Sequence, residues 1–98
     1  MPTFGRLPRF AADWKRLELA DRDRFRRSAR DFRDDLSGAQ GFRKGLRVKR
    51  VQGAPGEVWE MTFAPNVRAT WQYGPEIRPG EPHVIWRRIG THDIFGNP

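Results

Sequence analysis

The chain has 98 residues and no cysteine, and its 19 Lys and Arg against 12 Asp and Glu give a net charge of +7. A chain this short holds one hydrophobic core, so a single domain over residues 1–98 is expected. Without Cys there is no disulfide, thiolate nucleophile or thiolate metal site, and without a long apolar run no membrane-spanning segment is expected, which points to a cytoplasmic protein.

Of the 19 bases, 16 are Arg. Arginine favours planar, bidentate contact with phosphate or carboxylate, so the expected partner is a polyanion such as nucleic acid, or an acidic protein. The competing reading is a solvated basic surface. Trp14, Trp59, Trp71 and Trp86, with seven Phe, must supply much of the core, because each large ring buries much area.

In chain order, Leu7-Pro8-Arg9 predicts a helix start, since Pro at the first helical position loses nothing by lacking an N–H. Phe10, Ala11, Trp14 and Leu17 recur at helical spacing, with Arg9, Asp13, Lys15 and Arg16 on the opposite side. A second helix is predicted from about Asp21, whose carboxylate suits the positive helix end. Phe25, Ala29, Phe32 and Leu36 form its apolar stripe, and Ser37-Gly38 is expected to end it with Gly38 in the left-handed conformation. Asp23–Arg27, Arg27–Asp31 and Arg30–Asp34 lie four apart and read as a solvated helix face rather than a binding site.

Between Gly41 and Arg50 the charge changes character: Arg43, Lys44, Arg47, Lys49 and Arg50 are five bases without an acid. Leu46 and Val48 alternate with Arg47 and Lys49, which predicts a short extended segment with its basic side out. After a turn at Gln52–Gly56, Trp59, Met61 and Phe63 alternate with Val58, Glu60 and Thr62. Beyond Pro65-Asn66, Val67, Ala69, Trp71 and Tyr73 alternate with Arg68, Thr70 and Gln72. This is a hairpin with aromatics inward and a polar row outward. A Pro- and Gly-rich loop over 74–82 leads to a third strand, His83–Ile89, closed by Gly90. The expected fold is α+β: an N-terminal helical hairpin packed on one face of a small, curved, mainly antiparallel sheet, the other face polar.

On that polar face Glu60, Thr62, Arg68, Thr70 and Gln72 come together, with His92 beyond the last strand and the basic segment nearby. A carboxylate, a guanidinium and an imidazole are the base, charge stabiliser and acid that phosphodiester cleavage needs. Each also has a plain reading: His92 and Glu60 as solvent-facing residues, Arg68 as a cross-strand partner of Glu60. His83, after Glu81-Pro82, reads as structural or exposed. Two distant His without a close acid pair are poor metal ligands, and no phosphate-binding Gly loop is present. No cofactor is expected. A simple nucleic-acid binder would need only the basic segment and the aromatics.

At Val67-Arg-Ala-Thr-Trp71 and Ile89-Gly-Thr-His-Asp-Ile-Phe95 the chain resembles the RelE/ParE superfamily of bacterial type II toxin–antitoxin modules, and the order of elements from about Leu7 onward is also that family's. The RelE branch, to which the resemblance leans, comprises ribosome-dependent endoribonucleases, or mRNA interferases, that cut mRNA in the decoding site. The resemblance implies a metal-independent enzyme. Arg68 stands where many members carry an Arg in the second hairpin strand, His92 where a His or Arg follows the last strand, and Phe95 where an aromatic, often Tyr, lies just after. Arg43, Lys44, Arg47, Lys49 and Arg50, with one or both of Arg87 and Arg88 and with Phe95, are the implied RNA contacts. Where members often hold RNA with basic residues before and within the first hairpin strand, Arg47 and Lys49 can serve, but the strand itself departs from that pattern with Glu60 and Thr62. Glu60, a neighbouring group or the ribosome itself is then the base, and Phe95, lacking a hydroxyl, can stack but cannot exchange a proton. The implied partners are a cognate antitoxin, the ribosome and mRNA, with no membrane and no small molecule. A ParE-like gyrase poison and a non-catalytic member that binds nucleic acid or antitoxin are the alternatives.

Overall fold

The computed structural model describes residues 1–98. Strand β1 spans Thr3–Arg6, helix α1 Pro8–Arg16, helix α2 Leu19–Ser37, strand β2 Lys49–Arg50, strand β3 Trp59–Ala64, strand β4 Val67–Gly74 and strand β5 His83–Gly90. A 3₁₀ turn at Lys44–Leu46 precedes β2, and another at His92–Gly96 follows β5. The five strands form one open sheet in the order β1-β5-β4-β3-β2, parallel between β1 and β5 and antiparallel elsewhere. The expected α+β arrangement of two helices against one face of a mainly antiparallel sheet is the observed one.

The core lies between helices and sheet. Phe32 and Trp71 are both fully buried and meet edge to face, ring centres 4.7 Å apart. Phe10, Phe25 and Trp86 extend this aromatic layer toward α1, and Met61, Ala69, Val84 and Ile89 close it from the sheet. Period-two alternation therefore placed the right residues inward, Tyr73 excepted, which is 44% exposed at the end of β4. No helix is long and apolar enough to cross a membrane.

Several expectations are corrected. The N-terminal segment, for which no element was predicted, is strand β1, paired Thr3 with His83 through Arg6 with Trp86. Helix α2 starts at Leu19 rather than Asp21, and Gly38 leaves it in an extended conformation at φ −94° instead of the left-handed one; Gly41, three residues on, takes φ +75°. On α2 the acidic residues pair three apart, Asp21 with Arg24 at 2.8 Å and Asp23 with Arg26 at 3.0 Å, whereas Asp31 and Asp35 reach across to Arg43. The segment before β2 is a 3₁₀ turn that buries Leu46, and Arg47 ends it in the left-handed region at φ 51°. Only Lys49 and Arg50 extend as a strand.

The largest correction concerns Asp13, expected on the solvent side of α1 but only 8% exposed. Strand β1 covers β5 from His83 to Trp86 and stops, so the edge of β5 beyond it has no neighbouring strand. Asp13 takes that place. Its carboxylate accepts the Ile89 N–H at 3.2 Å and both Nε and Nη2 of Arg88 at 2.6 and 3.1 Å. A bulge between Thr70 and Trp71 puts one extra residue on β5, so Arg87 and Arg88 both turn away from the core.

Candidate functional site

Two clefts on the sheet face away from the helices share a common floor. One, of about 710 Å³, is walled by Arg43, Lys44, Arg47 and Lys49 on one side and Trp59, Glu60, Thr62 and Arg68 on the other. The second, of about 390 Å³, continues from Lys49, Glu60 and Arg68 to Arg50, Gln52, His92 and Phe95. Together they form a furrow running from the basic segment to the turn after β5.

Register explains the convergence. Lys49 pairs with Glu60 across β2 and β3, and Thr62 with Arg68 across β3 and β4, so Glu60 and Arg68 are diagonal neighbours on one face. Arg68 pairs with Gly90 on β5, which sets the turn carrying His92 directly beyond it. Gly90 has a reason to be glycine here: a Cβ would come within 3.0 Å of the buried Ile94 side chain, which packs the turn against the strand.

Glu60 faces the furrow yet is only 7% exposed. Its Oε1 stands 3.9 Å from Arg68 Nε and 4.0 Å from Lys49 Nζ. Neither contact is short enough to be a hydrogen bond, so this carboxylate lies between two cations without a hydrogen bond to either. The Arg68 guanidinium sits 6.0 Å from the centre of the Phe95 ring, and Phe95 meets the exposed His92 ring edge to face at 5.0 Å. Glu60, Arg68, Phe95 and His92 thus follow one another along the furrow. That arrangement offers a proton acceptor, a cation at the centre, a stacking surface and an imidazole.

The expected RNA contacts divide. Lys44, Arg47 and Lys49 line the furrow, and Arg50 lies over the Trp59 ring at 6.0 Å. Arg43 also borders the cleft, but its Nε and Nη2 donate to the two Asp35 oxygens at 2.9 Å each while Nη1 lies 3.2 Å from Asp31. Those hydrogen bonds hold the Asp35 carboxyl below its ordinary range and raise the Arg43 guanidinium further. Arg87 and Arg88, expected at the substrate, do not reach the furrow. Arg87 donates to the Gln72 side-chain oxygen and to the Pro98 carbonyl, and Arg88 is held by Asp13 and the Asn97 carbonyl. His83 donates or accepts at Thr3 Oγ1, 2.8 Å away, between β5 and β1, and is structural as expected.

Two residues have placements that the sequence expectations did not include. Trp59, counted as core, also walls the furrow. Asp13 was legible in principle: it lies three residues after Phe10 and four before Leu17, inside the apolar stripe, where a carboxylate demands a buried cation.

No protein-family model matches the sequence, and no curated protein matches it. Solved structures do. A copper-bound mutant of a toxin from Helicobacter pylori superposes with a TM-score of 0.70 at 16% identity, over 95% of this chain and 97% of that one. YafQ from E. coli strain BL21(DE3) gives 0.69 at 9% identity, over 95% and 96%. The chain has the RelE-like toxin fold. Within this RelE-like fold, Arg68 on the second hairpin strand and His92 and Phe95 after the last strand meet at one site.

Proposed function

We propose that the protein is the toxin of a type II toxin–antitoxin module and acts as a ribosome-dependent endoribonuclease on mRNA. The observation that carries this reading is the line Glu60–Arg68–Phe95–His92 along the floor of a basic furrow. Substrate backbone is held by Lys44, Arg47, Lys49 and Arg50, and a base stacks on Phe95. Glu60 accepts the proton of the ribose 2′-OH as that oxygen attacks the adjacent phosphorus. Arg68 takes up charge developing on the phosphorane-like transition state, and His92 gives a proton to the departing 5′ oxygen. The O2′–P bond forms as the P–O5′ bond breaks, which leaves a 2′,3′-cyclic phosphate and a 5′-hydroxyl. No step calls for a metal ion. A cognate antitoxin is the expected partner, presenting acid to the exposed arginines.

Inducing the wild-type chain in bacteria tests the reading. Growth arrest relieved by His92→Ala and by Arg68→Ala, with both variants folded, is the expected result. Full toxicity in both variants overturns the site, and double-strand DNA breaks without new mRNA ends would indicate a gyrase poison instead.

A further inference from the structure

We propose that Arg87 is a positioning residue that fastens the chain beyond Phe95, so that His92 and Phe95 are held against Arg68. The inference rests on the ribonuclease reading above for its catalytic consequence, but not for the coupling itself.

The turn at His92–Gly96 is five residues of 3₁₀ structure, too short to be stable alone, since such turns have poor hydrogen-bond geometry and no cooperative length. Something outside it must hold it. Its first anchor is Ile94, only 4% exposed and seated on Gly90. That buried side chain fixes the middle of the turn, and the residues after it are held elsewhere. The second anchor lies after the turn. The Pro98 carbonyl accepts from Arg87 Nε at 3.0 Å and from Thr70 Oγ1 at 3.2 Å, while the Asn97 carbonyl accepts from Arg88 Nη1 at 3.2 Å.

The donors are themselves immobilised. Arg87 is tied to Gln72 on the neighbouring strand, and Arg88 is gripped by Asp13. Thr70, fully buried, also accepts the Arg88 backbone N–H at 3.1 Å. Residues Asn97 and Pro98 are therefore pinned to the centre of the sheet on one side of the turn, and Gly90 holds it on the other. Between those two fixed points His92 and Phe95 can take few orientations, and the observed one sets Phe95 between the His92 ring and the Arg68 guanidinium. Orientation of this kind carries weight in catalysis, because a displacement on the order of 1 Å at a reacting group can cost about a hundredfold in rate.

This reading separates from a phosphate contact by Arg87. Losing a phosphate contact weakens binding and flattens the salt dependence, whereas losing a positioning contact lowers kcat with KM nearly unchanged. The test uses the full chain and its Arg87→Ala and Arg87→Gln variants, each required to unfold at the wild-type temperature. Single-turnover cleavage of mRNA on ribosomes is measured beside the NMR signal of the His92 ring, which the nearby Phe95 ring displaces. The expected result is a fall in kcat of about tenfold or more, KM and salt slope close to wild type, and a His92 signal moved toward its random-coil position. An unmoved His92 signal overturns the proposal, as does a change confined to KM and salt slope. If the wild-type chain cleaves nothing while the His92 signal still moves in the variants, the coupling stands and the ribonuclease reading falls. Should both variants unfold, Gln72→Ala, which removes the partner of Arg87 instead, carries the same expectations.

Discussion

Two arginine–carboxylate pairs on the same sheet are built in opposite ways. Arg88 and Asp13 are in full contact, with two short hydrogen bonds, and the carboxylate spends a further lone pair on a strand N–H. Arg68 and Glu60 stop 3.9 Å apart with no hydrogen bond between them, although Glu60 is as deeply buried as Asp13. The first pair has every polar atom satisfied from within and acts as structure. The second lies at the floor of a furrow with no hydrogen bond between its partners, and on the proposed reading it is substrate that engages them.

The largest effects should come from breaking each pair in turn. Arg68→Ala is expected to lower mRNA cleavage by about 10²–10³-fold, the usual cost of losing one transition-state stabiliser, with little change in unfolding temperature. Asp13→Ala should do the reverse at the level of stability. It leaves Arg88 without its buried partner and should cost about 3 kcal/mol, or ten degrees or more of unfolding temperature in a chain of this size. Calorimetry and cleavage assays on both variants check the contrast, and similar profiles for the two would erase it.

The basic segment sharpens the same distinction between satisfied and unsatisfied charge. With Arg43 committed to Asp35 and Asp31, the proposed reading assigns the other four bases of the segment to RNA. Four contacts give a slope of roughly −2.8 in log affinity against log salt, at about −0.7 for each phosphate on a single strand. Arg47→Ala should reduce that slope by about 0.7, and Arg43→Ala should leave it in place.

The smallest effect belongs to the Asp35–Arg43 pair, which is exposed and screened. Hydrogen bonds from Arg43 hold the Asp35 carboxyl below its ordinary 3.8. A carboxyl whose pKa is depressed in the folded state contributes stability above its unfolded pKa and loses it as pH falls through the folded value. Wild-type stability should therefore drop on acidification below the ordinary carboxylate range, and Asp35→Asn should flatten that part of the curve in a thermal titration.

What could be read from the sequence follows from the range of the interaction concerned. The stripe Phe25–Ala29–Phe32–Leu36 and the alternation Trp59–Met61–Phe63 are local periods, and the core they predict is the one observed. Arg68, His92 and Phe95 were legible through family resemblance, and the register of three strands brings them together. Strand β1 was not legible: four residues without a distinctive pattern become a strand only because His83–Trp86, some eighty residues later, offers an edge. The fate of Arg88 depended likewise on Asp13, 75 residues away. A run of arginines gives no sign of which members will find carboxylates inside the fold.

On the proposed reading the open pair, with His92, cuts RNA by internal attack of the 2′-OH. Purified protein added to translating ribosomes, followed by mapping of new mRNA ends and of their chemistry, tests it most directly. Cuts within ribosome-covered codons bearing 5′-hydroxyl ends and 2′,3′-cyclic phosphates, absent with Arg68→Ala, are the expected result. Intact mRNA, or new ends carrying 5′-phosphates, would contradict it.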